Sequence, residues 1–157
     1  MSLSITISGG KLQADLRRLV AHMQGAGRAK VLKAGGHAIA AMATRAFREE
    51  SLRPSPWLPL AKRTLAKKAE GRTSPLIDTG ALFRSIRVAQ PEGDSVEIAS
   101  DRPYATYHQF GTTRMPARPF IPAVGGEDGG AAALTPAAEE SVKAAMAAQA
   151  KAEMRAQ

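Results

Sequence analysis

The sequence predicts an α+β domain: a small antiparallel sheet packed against N-terminal helices, followed by a C-terminal Ala-rich helix. Three patterns predict it. Apolar residues recur at helical spacing in the first third of the chain, in two stripes separated by glycines. Two short strand-like runs then flank Pro91-Glu92-Gly93-Asp94, a turn sequence. From Pro136 onward Ala, Glu, Lys, Gln and Met dominate, all strong helix formers.

Leu3, Ile5 and Ile7 alternate with Ser and Thr, the signature of a short strand with one buried face, and Gly9-Gly10 breaks it. Leu12, Leu16, Leu19, Val20 and Met23 predict a first helix, stopped by Gly25 and Gly27. Val31, Leu32, Gly35, Ala38, Ile39, Met42, Ala46 and Phe47 predict a second and longer one, whose small residues Gly35 and Ala38 permit close helix packing. Pro54, Pro56 and Pro59 end it in a loop that presents Trp57. Leu60–Glu70 reads as a short basic helix packed with the others on the sheet, ending at Gly71, and Arg72-Thr73-Ser74-Pro75 as an exposed loop. Asp78 or Thr79 caps a short helix through Leu82 and Phe83. Arg87–Gln90 and Ser95–Ala99 are the hairpin strands, and Tyr104–Phe110 fits strand or short helix. Gly125–Gly130 reads as a flexible joint. The helix over Pro136–Gln157 carries only Val142, Met146 and Met154 as larger apolar residues, so it is expected to project, pack loosely or find its partner on another subunit. The organisation expected is one domain over residues 1–124, with the joint and helix in 125–157.

The chain has 157 residues and no Cys, which excludes disulfides and Cys-ligated metal sites and fits a cytosolic setting. No apolar run approaches the ~20 residues of a membrane span, and Met1–Ser8 lacks the basic start of a signal peptide. The net charge is +8, unevenly spread. Residues 11–72 hold fourteen Lys/Arg against four Asp/Glu, which leaves the rest of the chain at −2. That asymmetry suits a nucleic-acid surface, docking on an acidic protein face, or subunits packed head to tail.

The densest aromatic stretch is Tyr104–Pro122, with both Tyr residues and two of the four Phe. Pro116, Pro119 and Pro122 hold an extended path flanked by Phe110 and Phe120 as apolar anchors, a rigid shape rather than a reactive site. With the run from Leu76 through Asp78-Thr79-Gly80-Ala81-Leu82 to Ser85 and Ile86, the segments Tyr104–Gly111 and Met115–Ile121 resemble the virion morphogenesis family of tailed phages, which includes the tail-completion proteins of P2-like and Mu-like phages. Pro56-Trp57-Leu58-Pro59-Leu60, Thr64-Leu65 and Lys67-Lys68 match that pattern upstream, in the same order. The resemblance spans roughly residues 47–121.

It implies a structural role in tail completion or at the head–tail joint, with no enzyme activity and no cofactor. It further implies ring-type homo-oligomers that contact other tail or neck proteins, in the virion and, during assembly, in the host bacterial cytoplasm. The matching positions are Trp57, Thr79, Gly80, Leu82, Ser85, Tyr104, Ala105, His108, Gln109, Phe110, Gly111, Pro116, Ala117, Arg118, Pro119 and Phe120. In this reading Gly80 and Gly111 permit tight turns, and Arg118 pairs with a carboxylate across an interface.

Two other classes compete. A small basic nucleic-acid-binding protein rests on the cationic half, with Lys62, Arg63, Lys67 and Lys68 as phosphate contacts. A hydrolase would rest on His108 with Ser85 or Asp101 as partner. The plainer expectation is a His108 ring packed beside Tyr104 or Tyr107 and hydrogen-bonded to a backbone carbonyl. His22 and His37 form no metal-spaced pair.

Overall fold

A computed structural model of the chain describes residues 3–6, 25–68, 73–93, 95–124 and 133–156. The expected helix over Leu12–Met23, the Gly9-Gly10 break, Gly71, Asp94 and the Gly125–Gly130 joint lie outside them. The described elements are strand β1 (Leu3–Thr6), helix α1 (Gly25–Ala46), α2 (Lys62–Lys67), α3 (Ala81–Arg84), β2 (Ile86–Val88), β3 (Glu97–Ser100), α4 (Ala105–Phe110), β4 (Ala123–Val124), β5 (Ala133–Leu134) and α5 (Pro136–Arg155).

The fold is α+β, as expected. Its main sheet has three antiparallel strands in the order β1-β3-β2, and β4 and β5 make a second, two-stranded one. In the main sheet Leu3 and Ile86 both stand opposite Ser100, and Val88 stands opposite Ile98. Tyr104–Phe110, ambiguous in sequence, contains a helix whose buried residues Ala105 and Gln109 are four apart, one face of one turn.

Helix α1 is the centre of the molecule, and two adjacent glycines set how close its neighbours come. A Cβ on Gly36 would lie 2.7 Å from Val88 Cγ1 and 2.9 Å from Val96 Cγ2, so this position seats the hairpin. A Cβ on Gly35 would lie 2.9 Å from Met146 Sδ and 3.4 Å from Val142 Cγ1, so the next position seats α5. The expectation for the C-terminal helix is corrected here. Helix α5 does not project: Ala138, Val142, Met146 and Ala150 are buried in the same cluster as Val31 and Ile39. Little apolar bulk suffices because the surface it meets is also small. Lys30 on α1 reaches Glu153 at 3.1 Å near the far end of α5.

A second correction concerns α2, which has no buried residue and therefore does not pack as a further core helix. The aromatic part of the core is built by Phe47, whose ring meets Trp57 at 5.9 Å edge-on, Phe83 at 5.9 Å and Phe120 at 5.2 Å.

Candidate functional site

The extended path from Met115 to Pro122 is tied down from both sides. Gly111 opens it with φ 78°, and a Cβ there would lie 2.8 Å from the Ala117 nitrogen, so only glycine fits the turn. Gln109 faces the returning chain. Its Oε1 accepts from the Phe120 and Ile121 N–H groups at 3.0 and 3.1 Å, giving two buried donors one partner. The Arg118 N–H donates to the His108 carbonyl at 2.7 Å.

The Trp57 loop clamps the same path from the other side. Trp57 Nε1 donates to the Pro119 carbonyl at 2.8 Å, and the Arg53 guanidinium covers the indole at 4.0 Å. Arg118 reaches back, with Nε and Nη2 donating to the Leu58 carbonyl at 3.2 and 3.0 Å and Nη2 to Pro59 at 3.3 Å. Arg118 is buried. Nε and Nη2 of its fork are thus engaged by carbonyls of its own chain. Trp57, open in sequence between core and interface, is core.

Upstream, Gly80 stands at the N-terminus of α3 with φ 78°. Of the two caps expected, Thr79 supplies one: its Oγ1 accepts from the N–H of Ala81, the first residue of α3, at 3.3 Å, while Gly80 occupies the cap position itself. Ser85 Oγ contacts the Leu82 carbonyl and Ser100 Oγ, both at 2.6 Å, which joins α3 to the base of the hairpin.

These segments enclose a groove of about 600 Å³. Pro59–Ala61, Thr64 and Lys68 form one wall, Leu76 and Asp78–Leu82 the second, and Tyr104, His108 and Arg114–Pro116 the third, with Arg118 in its lining. Leu76 adopts φ 60°, an uncommon left-handed backbone for a bulky side chain. Lys68 Nζ is held by the Ser74 and Ile77 carbonyls, each at 2.6 Å. Thus the groove collects Thr79, Gly80, Leu82, Tyr104, His108, Pro116 and Arg118 from the sequence-derived set. It leaves out Trp57, Ser85, Ala105, Gln109, Phe110, Gly111, Ala117, Pro119 and Phe120. Of these, Trp57, Ser85, Ala105, Gln109 and Phe120 are buried, and they support the walls from behind. Sequence reasoning missed Leu76 and Met115 as lining residues; neither carries a signal in its type or spacing.

His108 meets Tyr104 edge-on at 5.9 Å, as expected. The expected carbonyl bond is corrected: among the described residues its buried Nδ1 has no partner. Burial, and then the nearby Arg118 charge, hold its pKa below the ordinary histidine value, so the ring is neutral at pH 7. The partners a hydrolase would need are engaged elsewhere. Ser85 is bound to Leu82 and Ser100, and Asp101 pairs with Arg87 and Arg102.

The clamped scaffold around an open groove is compatible with a structural or interaction role. Residues 7–149 match the model of the phage virion morphogenesis family, and the chain belongs to that family. Its role is accordingly in phage morphogenesis, and it is virion-associated. No curated protein and no solved structure matches the chain. Among the described residues no helix is long and apolar enough to cross a membrane.

Proposed function

We propose that this protein completes the phage tail or joins it to the head, as a non-enzymatic subunit of a ring-type homo-oligomer that contacts other tail or neck proteins. Assembly takes place in the host bacterial cytoplasm. The observation that carries this reading is the clamped Tyr104–Pro122 scaffold. Its returning path is held by bonds within the chain at Gln109 and Arg118, which supports a fixed outer shape, as a part that must dock in one orientation requires. Rotational symmetry then follows if one subunit surface meets a different surface on the next and the rotation closes.

Disrupting the gene in an inducible phage tests it, with electron microscopy of the lysate. The expected result is separate filled heads and tails, or tails of aberrant end structure, restored to whole particles by a plasmid copy. Normal infectious particles from the disrupted phage would overturn the proposal.

A further inference from the structure

The groove and the hairpin are joined through α3. The base of the β2–β3 hairpin is the Ser85–Ser100 contact, directly after α3, and α3 forms part of the groove wall. The turn at Glu92 and Gly93 lies seven residues further along from Ser85, ~20 Å at the rise of a strand. Glu92 and Gly93 are both exposed, and a Glu92–Ser95 bridge closes the turn. The tip is acidic in sequence, Pro91-Glu92-Gly93-Asp94.

The groove is of opposite charge. Lys68, Arg114 and Arg118 line it, and Asp78 is the sole acid among the described lining residues. Lys68 and Arg118 are already bound to backbone carbonyls, which leaves exposed Arg114 as the cation facing outward. Helix α2, which gives Thr64 to the lining, also carries exposed Lys62, Arg63 and Lys67. Leu60, Leu76, Leu82, Met115 and Tyr104 supply apolar lining, and Tyr104 is 38% exposed. A cationic rim around apolar walls selects a protein segment bearing carboxylates over a phosphate backbone, which needs a continuous cationic track.

We propose that the groove receives the Glu92 hairpin tip of a second copy of this chain, with Glu92 paired to Arg114 at the rim. This rests on the ring-forming reading above and names its interface. The two surfaces differ, so the contact is head to tail and repeats around a ring where the rotation closes. A carboxylate–guanidinium pair at a partly desolvated rim is directional and weakened by salt.

The test is sedimentation of the full chain over a concentration series, for the wild type, Glu92→Lys, Arg114→Glu and the double swap. Both positions are exposed, so the variants keep the fold, checked by circular dichroism. Each single reversal is expected to weaken self-association by ~10-fold or more, and the double swap to recover most of that loss. Assembly that is unchanged in both single variants, or not recovered in the double, overturns this interface and leaves the ring reading standing. A wild type that stays monomeric at every concentration overturns both. Binding to a random DNA duplex that Arg114→Glu abolishes, with self-association unchanged, overturns it in favour of phosphate contacts.

Discussion

Removing Pro136–Gln157 should destroy the stability of the core rather than trim an appendage. Val142 is 3% exposed and Met146 2%. Full burial of side chains of this size contributes ~1.5–3 kcal/mol each. Together they account for about 3–6 kcal/mol, before counting the face of α1 around Gly35 that the deletion would uncover. Domains of this kind carry a net stability of only ~5–15 kcal/mol. At ~2–4 °C per kcal/mol the melting temperature should fall by at least ~6 °C, and loss of the cooperative transition is the expected extreme. Urea and thermal unfolding followed by circular dichroism measure it. Two point variants localise the effect. Met146→Ala should cost ~2–5 kcal/mol, and Gly35→Ala, whose Cβ would lie 2.9 Å from Met146 Sδ, should cost less in a Met146→Ala background than alone. A truncated chain that melts within ~2 °C of the full one, with an unchanged denaturant slope, would refute the reasoning.

Three further outcomes are expected. Gln109→Ala strands the buried Phe120 and Ile121 N–H groups and should destabilise by ~2–5 kcal/mol in urea melts, whereas a loss under ~0.5 kcal/mol would show that other acceptors replace Oε1. Gly111→Ala, which forces a Cβ to 2.8 Å from the Ala117 nitrogen, should cost ~1–3 kcal/mol; an equal melting temperature would contradict the turn geometry. His108 should titrate below its ordinary value of 6.5, because burial and Arg118 oppose its charge. Its depressed folded pKa means the unfolded chain binds the proton more readily. The stability it contributes is therefore complete above pH 6.5 and lost as pH falls through the folded value. His108→Gln should flatten that part of the stability–pH curve, and an NMR midpoint at or above 6.5 would contradict the burial argument.

The elements legible in the sequence are those whose signal is local. Helix α1 follows from a stripe with period 3.6, and the β2–β3 hairpin from two short runs around Pro91-Glu92-Gly93. What escaped sequence reasoning is complementarity between distant segments. The thin apolar face of α5 looked inadequate because its partner surface, opened by Gly35 more than a hundred residues upstream, cannot be paired with it by periodicity. Arg118 looked like an interface residue because its acceptors are backbone carbonyls, present at every position and therefore invisible in residue type. The candidate site was legible as a set of positions but not as a groove. Its walls come from separate stretches of chain, and the buried Trp57, Ser85, Ala105, Gln109 and Phe120 hold those walls from behind.

The clamp between the Trp57 loop and the Met115–Pro122 path also bears on how long a subunit persists once folded. Trp57 bonds a carbonyl 62 positions away, and Arg118 bonds carbonyls 60 and 59 positions away. Closing loops of that length costs entropy, so these bonds are expected to form late in folding, after α1 and the hairpin. Interactions absent from the transition state act on the escape rate and not on the approach. Trp57→Phe and Arg118→Lys should therefore refold at nearly the native rate yet unfold faster. In a virion part that is made once and must then endure, the clamp acts as a kinetic latch, setting the lifetime of the native subunit more than the speed of its formation.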